Sequence, residues 1–353
     1  MRVGIIGAGI QAKVAHLPAY SKIDGVEIIG IADINKKSAE QLSKRFNIPH
    51  VYGGYQDLID NQNIDLISIC TPHNLHKQMA IECAKAGKHI LIEKPMVTTV
   101  KDAEEIIRIA KDNDVKLCGV QNYRFFHSIQ ESKRRIDKGR IGDIISLHGY
   151  GHVFQSFGSR SIPWIFQEGS AGIIEDFGSH LIDIALYLNN FNKIKKVFAL
   201  GGNFGGNLDL IVHCQIMIEF ENRSLATLDL SYLSGAKEVA VFIHGTGGQL
   251  HVDVRNDHIR ETHQYDTPLD EIVNSYNKLK GVSRGVIDRS YFLGAKTYYL
   301  TLIEGFINSI ENNSEIPVTG EECRNTALII ECALKSIKEK RQIIIDEKSN
   351  SRD

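Results

Sequence analysis

In the first third of the chain, short apolar runs rich in β-branched residues alternate with stretches of helical periodicity. Runs of this length and composition are typical of buried strands, and their alternation with helices is typical of a parallel sheet covered on both faces. The pattern predicts strands at residues 3–6, 27–32, 66–70, 89–92 and 116–120. It predicts helices near residues 11–22, 36–46, 75–86 and 99–113.

After about Tyr123 the pattern changes, because strands follow one another with turns rather than helices between them. Such a succession indicates an antiparallel sheet. The predicted strands are 144–154, 196–200, 210–220, 224–233, 238–244 and 249–252, and the predicted helices are 172–188, 293–312 and 319–338.

The predicted fold class is therefore α/β. An N-terminal doubly wound parallel sheet at residues 1–122 precedes an α+β domain with an open, mainly antiparallel sheet at 123–345. We expect the last helix to be able to pack back on the first domain, and residues 346–353 to form a disordered polar tail. An open sheet needs its second face covered by helices or another subunit.

Composition narrows the class of protein. A hydrophobic fraction of 42% with 24% charged residues is typical of a globular protein, and a net charge of −2 gives no basic excess for binding nucleic acid. The six cysteines form no C-x-x-C pair, which argues against a zinc knuckle or a redox dithiol. No apolar stretch is long enough for a membrane span, and none resembles a signal peptide, so we expect a cytoplasmic protein.

A glycine-rich turn at residues 7–12, Gly-Ala-Gly-Ile-Gln-Ala, follows the first strand and opens a helix. In this context Gly7 permits the tight turn, and Gly9 lets the backbone approach a pyrophosphate. The N-terminus of the helix then offers free N–H groups to the phosphates. The turn predicts a dinucleotide cofactor, with Ile10 and Gln11 among its contacts.

Asp33 ends the second predicted strand, where an acid accepts hydrogen bonds from the adenosine ribose. Its carboxylate would repel a 2′-phosphate, so it favours NAD over NADP. NADP stays possible because Lys36 and Lys37 could offset that repulsion. The alternative is a structural glycine turn in which Asp33 caps the following helix.

Three further segments resemble one enzyme family. They are Cys-Thr-Pro-His-Asn-Leu-His at 70–76, Ala-Gly-Lys-His-Ile-Leu-Ile-Glu-Lys-Pro-Met at 86–96, and Gly-Ser-Ala-Gly-Ile-Ile-Glu-Asp-Phe-Gly-Ser-His-Leu-Ile-Asp at 169–183. Together they resemble the glucose-fructose oxidoreductase/inositol dehydrogenase (Gfo/Idh/MocA) family. The resemblance implies a Rossmann domain, a C-terminal domain whose open sheet forms a homodimer or homotetramer, and hydride transfer between NAD(P) and a secondary alcohol or ketone of a sugar, inositol or sugar derivative.

The resemblance places the family's Glu-Lys-Pro motif on Glu93, Lys94 and Pro95, with a Lys-Pro bond that is often cis in the family, and its acid and histidine on Asp176 and His180. In these roles Lys94 stabilises the developing alkoxide and touches cofactor and substrate. His180, whose ordinary pKa lies near neutrality, is the proton base or acid. Asp176, four residues before His180 on a helical pattern, shares its face and orients the substrate or favours the charged imidazole.

The remaining predicted contacts fall into two groups. The cofactor contacts beyond the glycine turn and Asp33 are Thr71, Pro72, His73, His76, Glu93, Lys94 and Gln121. The substrate contacts are Tyr123, Arg124 and Trp164 in addition to Lys94, Asp176 and His180. For the two aromatic residues and the arginine, ordinary packing is the alternative.

Asp176, His180 and Asp183 could also be interpreted as metal ligands on one helical face. We expect no metal, because hydride transfer to nicotinamide needs none and no further ligand cluster is apparent.

The sequence departs from the family pattern near the expected substrate. Ser170 and Ala171 replace two glycines, Ile165 follows Trp164 in place of a common arginine, and His127 replaces a frequent proline. These departures leave the substrate open. The alternatives are a 3-dehydrogenase or reductase of UDP- or dTDP-sugars, and a non-catalytic NAD(P)-binding regulator.

Overall fold

The computed structural model describes residues 1–153, 172–204, 210–263, 267, 272, 275–276 and 290–345, without the side chains of 290–297. Contacts divide the chain into two compact units. Unit 1 comprises Met1–Phe125 and Ser290–Ala327, and unit 2 comprises Phe126–Arg289 and Leu328–Asp353. Residues 290–327, which were predicted to lie in the second domain, belong to unit 1, so the division differs from a single cut after residue 122.

Unit 1 is built on a six-stranded parallel sheet with the order β3-β2-β1-β4-β5-β6. Its strands are β1 Arg2–Ile6, β2 Glu27–Ala32, β3 His50–Tyr52, β4 Leu66–Ile69, β5 His89–Ile92 and β6 Leu117–Gly119. Five were predicted. The edge strand β3 was not, because it has only three residues, one exposed and two half-buried, and these give no apolar run. Since β2 and β4 lie on opposite sides of β1, the loops after β1 and β4 diverge and leave a crevice at the carboxyl edge of the sheet.

The helices of the chain are numbered in sequence order. In unit 1 a π turn, Ala12–His16, continues into α1 Leu17–Tyr20, and single 3-10 turns occupy His73–Leu75 and Asn122–Phe125. The other helices of this part are α2 Lys36–Phe46, α3 Tyr55–Ile59, α4 His76–Lys85 and α5 Val100–Asp112. Thr99 caps α5 by accepting a hydrogen bond from the Asp102 N–H at 3.2 Å.

In unit 2, α6 His127–Asp137 comes first, and a π turn, Ile174–Gly178, leads into α7 Ser179–Leu188. Near the end of the chain are α8 Ser290–Asn312 and α9 Gly320–Glu339. The division between the units falls within α9, after Ala327.

The core of unit 1 explains why α8 belongs to it. Strand residues such as Ile5 and Ile67 are fully buried, and Leu302 and Phe306 of α8 are buried in the same cluster. The sequence indicates that α8 has an apolar face. It does not indicate which sheet that face covers.

Unit 2 contains an eight-stranded sheet with the order β13-β12-β11-β7-β10-β9-β8-β14. Its neighbouring strands are antiparallel except for the parallel pair β7 and β10. The strands are β7 Ile144–His152, β8 Ile194–Gly202, β9 His213–Phe220, β10 Leu225–Ser231, β11 Glu238–Gly245, β12 Gln249–Asp253, β13 His258–Thr262 and β14 Ile343–Ile344. The two sheets confirm the predicted fold class.

One face of this second sheet carries α7 and the π turn before it. A Cβ atom added to Gly151 of β7 would lie 2.8 Å from Leu181 and 2.9 Å from Phe177. Glycine therefore allows the π turn and α7 to pack closely on the sheet, which fixes the segment that holds Asp176 and His180.

The opposite face carries a mixed row of apolar and imidazole side chains. The rings of Phe242 and His251 stack with centroids 4.1 Å apart, and those of His148 and His244 meet edge to face at 5.5 Å. None of the helices among the described residues has the length and apolar character that crossing a membrane requires.

Candidate functional site

The glycine turn has the geometry that a pyrophosphate site needs. Gly7 has a φ of +98°, and a Cβ there would lie 2.8 Å from the carbonyl oxygen of Cys70, so this position needs glycine. A Cβ on Gly9 would meet no described atom within 4 Å, which leaves open space against the backbone. Ala12 is fully buried beneath the turn. The turn thus fits a bound dinucleotide.

Asp33 ties the end of β2 to this turn. Its Oδ2 accepts a hydrogen bond from the Ala8 N–H at 2.6 Å, and its Oδ1 accepts one from the Asn35 N–H at 2.6 Å. The cap of α2 is Asn35, whose side chain accepts from the Ser38 N–H. The alternative that Asp33 caps this helix is therefore wrong. Its half-buried carboxylate lies beside the turn.

Two buried amide oxygens after β6 point to a polar ligand. Gln121 Oε1 and Asn122 Oδ1 have no hydrogen-bond partner among the described residues. Buried polar atoms are nearly always paired, so an N–H donor from a bound molecule would complete them, and a carboxamide has such donors. Gln121 stays a predicted cofactor contact. Asn122 was missed, because a single asparagine after a strand carries no distinctive pattern.

The loop after β4 divides into accessible and buried residues. Thr71 and His73 are half-buried and Pro72 is exposed, so their cofactor contacts stay predictions. His76 is fully buried. Its Nδ1 lies 3.0 Å from the Pro95 carbonyl oxygen, and its Nε2 lies 2.9 Å from that of Thr71. Burial lowers the pKa of His76, against the effect of these carbonyl groups. His76 therefore fixes backbone rather than reaching a cofactor, which corrects the sequence assignment.

Lys94 is the second residue after β5, at the carboxyl edge of the sheet, and its bond to Pro95 is cis, as the resemblance implied. The side chain of Lys94 is half-buried. Its backbone N–H donates to Glu93 Oε2 at 3.1 Å. The position agrees with a role at the cofactor, and that role stays a proposal.

Glu93 does not face outward as a cofactor contact would, because it is buried in a polar cluster. Its Oε1 lies 2.8 Å from His16 Nε2 and accepts a hydrogen bond from the Tyr299 hydroxyl at 2.9 Å. Burial would raise the pKa of Glu93, but the hydrogen bond and charge of His16 hold it below the usual value. The assignment of Glu93 to cofactor contact is thus replaced by an internal role.

His16 is the cationic partner of this carboxylate. Burial opposes its charge, but Cys70 and Glu93 raise the pKa of His16 to about 10. With both nitrogens protonated, the ring donates to Glu93 and, at 2.7 Å, to Ser68 Oγ. Sequence reasoning missed His16 and Tyr299 because a histidine inside an apolar helix and a tyrosine in a distant one share no local pattern.

In unit 2, Asp176 lies in the π turn and His180 is the second residue of α7. The Tyr232 hydroxyl donates to Asp176 Oδ2 at 2.7 Å, and burial together with Asp176 raises the pKa of Tyr232, so the phenol keeps its proton. The ring of Phe177 packs edge to face against that of His180, with centroids 5.8 Å apart. Tyr232 was not predicted, since a single tyrosine after an alternating strand is indistinguishable from packing.

The residues predicted to contact the substrate differ in their burial and in whether the structure describes them. Arg124 has only 2% of its surface exposed, and its guanidinium binds Glu322 Oε2 at 2.8 Å. It holds α9 in place, which corrects its assignment to the substrate. Tyr123 is half-buried and stays a prediction. Trp164, Ile165, Ser170 and Ala171 lie outside the described residues, and His127 is the exposed first residue of α6.

Within the described ranges, no group of three or more histidine, cysteine, aspartate or glutamate side chains is arranged to hold a metal ion. Asp176, His180 and Asp183 thus form no such group.

The chain matches two family models. Residues 1–121 match the model of an oxidoreductase family with an NAD-binding Rossmann fold, and residues 129–251 match the GFO/IDH/MocA C-terminal domain. The chain is 27% identical to the scyllo-inositol 2-dehydrogenase (NADP(+)) IolW of Bacillus subtilis, over 98% of this chain and 96% of that protein. It is 26% identical to a myo-inositol 2-dehydrogenase of Thermotoga maritima, over 98% and 99% of the two chains.

A solved structure shares the fold along the whole length. A levoglucosan dehydrogenase, in complex with NADH and levoglucosan, superposes with a TM-score of 0.85 at 23% identity, over 98% of this chain and 100% of that one. These matches confirm the predicted family and its dinucleotide cofactor. The chain belongs to the Gfo/Idh/MocA family of NAD(P)-dependent oxidoreductases, with an NAD-binding Rossmann domain followed by the family's C-terminal domain.

Proposed function

We propose that the enzyme transfers hydride between NAD and a secondary alcohol or ketone of an inositol, sugar or sugar derivative. One observation carries the proposal: the glycine turn and Lys94 lie at the carboxyl edge of the same parallel sheet, after β1 and β5. Open α/β sheets bind their ligands at this edge. This edge of the sheet thus carries both a turn that can bind the dinucleotide and a cationic side chain that can bind the substrate oxygen.

Each group in the proposal has a separate task. The bound nicotinamide accepts or supplies the hydride. Lys94 stabilises the charge that develops on the substrate oxygen, and His180 takes or returns the hydroxyl proton. Asp176, held by the Tyr232 hydroxyl, orients the substrate or the imidazole. Gly7, Gly9, Ile10, Gln11, Asp33 and Gln121 hold the cofactor in this proposal.

Steady-state kinetics of Lys94→Ala and His180→Ala test these roles, with Lys101→Ala and His50→Ala as matched surface controls. We expect kcat to fall by about 10²- to 10⁴-fold in the two site variants and to stay unchanged in the controls. Calorimetry with NADH checks that the variants still bind the cofactor. Unchanged turnover in both site variants would overturn the proposal.

Among substrates, a cyclic polyol is best supported, because two relatives that each match this chain over 98% of its length are inositol dehydrogenases by name. Thermal-shift and turnover assays with myo-inositol, scyllo-inositol, free sugars and UDP-sugars separate the candidates. Turnover of a UDP-sugar alone would replace the polyol. Binding of NADH without turnover of any compound would identify a regulator.

We propose NAD rather than NADP as the preferred cofactor, because the Asp33 carboxylate lies beside the glycine turn. A 2′-phosphate placed there would meet this negative charge. The ratio of kcat/KM for the two cofactors measures the preference directly, and a ratio in favour of NADP would contradict it.

We also propose that a second copy of the chain covers the open face of the sheet in unit 2, giving a homodimer or homotetramer. Leu200, Met217 and Leu225 on this face expose 59%, 51% and 46% of their surface. Apolar side chains clustered on one surface are typical of a protein interface. The proposed partners of the chain are thus a small-molecule substrate and a second copy of the chain.

A cytoplasmic location completes the proposal. All six cysteines are free thiols, which fits a reducing compartment. Fractionation of cells that produce the protein tests it, and recovery outside the cytoplasm would contradict it.

A further inference from the structure

Four side chains from four separate elements meet beneath Lys94. His16 ends the π turn before α1, Ser68 lies in β4, Glu93 follows β5, and Tyr299 lies in α8. We call them the Glu93 cluster. All four are buried, with at most 4% of their surface exposed. None of them is assigned a step in the proposed hydride transfer.

Glu93 connects this cluster to the backbone of Lys94. Its Oε1 takes hydrogen bonds from His16 and Tyr299, while its Oε2 accepts the Lys94 N–H at 3.1 Å. One oxygen of the carboxylate is thus fixed by the His16 and Tyr299 side chains, and the other oxygen binds the backbone of Lys94. The residues just after Lys94 are held as well, because His76 contacts the carbonyl groups of Pro95 and Met96.

The same cluster reaches the glycine turn. The Tyr299 hydroxyl lies 3.5 Å from Oε1 of Gln11, which belongs to the turn, and His16 lies on the helical segment that the turn opens. A displacement of this segment on cofactor binding would move His16, one of the two side-chain donors of Glu93 Oε1. The connection from the cofactor turn to the backbone of Lys94 therefore runs along the helical segment to His16, and from His16 through the Glu93 carboxylate.

Stability alone does not account for a charged pair at this depth. Taking both charges out of water carries a large free-energy cost, and proteins in which apolar residues replace a buried ion pair are often as stable. His16, with a pKa of about 10, and Glu93, with a lowered pKa, both stay charged near neutral pH. A fixed, fully charged pair is suited to holding the neighbouring backbone in one position.

We propose that the Glu93 cluster positions Lys94 and transmits cofactor binding at the glycine turn to it, with His16 and Tyr299 as positioning residues. The proposal rests on the proposed function of Lys94. It assigns no chemical step to the cluster, which acts only through the lysine.

The first test compares Tyr299→Phe and His16→Gln with the wild type. Tyr299→Phe removes a hydroxyl and leaves the ring in place. We expect kcat to fall about 10- to 100-fold, because small displacements of a catalytic group have effects of this size. KM for the substrate should stay within about twofold, since neither variant removes a predicted substrate contact.

Tyr52→Phe is the matched control. It removes a phenol that accepts a hydrogen bond from Asn61 at 3.2 Å in the same unit, far along the sheet from Lys94. This control should keep the kcat of the wild type. A similar loss of kcat in Tyr52→Phe, or a loss of thermal stability that matches the loss of activity in Tyr299→Phe, would mean a structural role only.

The second test does not depend on turnover. Lysines are labelled by reductive ¹³C-methylation, the signal of Lys94 is assigned by its absence in Lys94→Ala, and NADH is added. In the wild type the chemical shift of this signal should change on NADH binding. In Tyr299→Phe and His16→Gln the chemical shift without NADH should differ from that of the wild type, and the change on adding NADH should be smaller. An identical position and response in wild type and Tyr299→Phe would overturn the proposal, even if the enzyme lacks the proposed activity.

Discussion

Gly7 and Gly9 occupy different environments in the turn after β1. Gly7 has a positive φ and lies against the Cys70 carbonyl group, whereas Gly9 borders space that no described atom fills. Gly7→Ala should therefore lower the free energy of unfolding by about 1–3 kcal/mol and weaken NADH binding. Gly9→Ala should keep the stability of the wild type but weaken NADH binding at least about tenfold, because its methyl group occupies the place of the phosphates.

Urea denaturation and calorimetric titration with NADH measure the two effects separately. Gly202→Ala, at another position where an added Cβ meets no described atom within 4 Å, is the control. Wild-type NADH affinity in Gly9→Ala would contradict the assignment of the turn to the pyrophosphate.

The charge on His16 gives the stability of the protein a pH dependence with a defined sign. Its pKa rises from an ordinary value of 6.5 to about 10 in the folded state, in a surrounding of Ser68, Cys70, Glu93 and Tyr299. The stabilisation is complete below pH 6.5 and is lost as the pH rises through about 10. Glu93 gives a pH dependence of the opposite sign. Because its pKa is lowered in the folded state, its stabilisation is present near neutral pH and is lost when acid protonates the carboxylate.

Urea unfolding of the wild type and His16→Gln between pH 6.5 and pH 9.5 measures this effect. The stability of the wild type relative to the variant should decline with pH, by up to about 1.4 kcal/mol per unit. A difference that stays constant across this range would show that His16 is neutral in the folded protein.

For single residues, the sequence predicts which polar residues follow strands, but it does not predict whether their side chains point outward or into the core. Arg124, His76 and Glu93 all follow or begin a loop, yet each is buried and bound inside unit 1. Their partners are Glu322, carbonyl groups and Tyr299. Two of these partners lie about two hundred residues away along the chain, so no local pattern could identify them.

The start of α9 shows how an element and a buried residue stabilise each other. Thr319 Oγ1 accepts the Glu322 N–H at 3.2 Å, and Glu322 Oε2 accepts the Thr319 N–H at 2.9 Å, which is a capping box. The same carboxylate binds the buried Arg124 guanidinium. Thr319→Ala should cost about 1 kcal/mol of unfolding free energy, and Glu322→Ala about 3 kcal/mol, because it also removes a partner of a buried cation.

Chemical denaturation of the two variants checks this order, with Arg324→Ala as the control. Arg324 pairs with Glu104 at the surface, so its loss should change stability by less than about 0.5 kcal/mol. Equal costs for Glu322→Ala and Thr319→Ala would mean that the pair with Arg124 contributes nothing.

The elements with strong periodicity were predictable from the sequence, and the weak ones were not. Five of the six strands of unit 1, all except β3, and helices α2, α4 and α5 lie within about two residues of their predicted bounds. The strands β3, β13 and β14 carry too few buried residues to produce a pattern. The two π turns could not be predicted either, because a helical period of 3.6 residues was assumed throughout.

At the scale of the whole molecule, the proposed self-association gives a test of the open sheet. The double variant Met217→Lys, Leu225→Lys places two cations on that face, where both native side chains are about half exposed. We expect it to sediment as a monomer, because like charges would face each other across the interface between two copies. Sedimentation velocity compares it with the wild type, for which we expect a dimer or tetramer.

Ile34→Lys is the matched control, since Ile34 is 99% exposed and lies in unit 1. It should sediment as the wild type does. An oligomer that survives the double substitution on the sheet would move the interface elsewhere.

The division of the chain is the part of the whole-molecule architecture that the sequence described least well. Residues 290–327 belong to unit 1, and Leu302 and Phe306 of α8 are part of the same buried cluster as the strands of the parallel sheet. Hydrophobic patterning defines the apolar face of a helix but gives no preference between two sheets of similar composition. The same helix contains Tyr299, so the packing of α8 in unit 1 also completes the Glu93 cluster.

The central claim is that Lys94 and His180 act in the same hydride transfer, and a kinetic isotope measurement with a double-mutant cycle tests it most directly. Single-turnover reduction of NAD is followed with inositol carrying deuterium at the reacting carbon, in wild type, Lys94→Ala, His180→Ala and the double variant. The account predicts a primary isotope effect in the wild type. It also predicts that each single variant loses about 10²-fold or more in rate, and that the double variant loses less than the product of the two single losses. Wild-type rates in both single variants, or losses that simply multiply in the double variant, would contradict it.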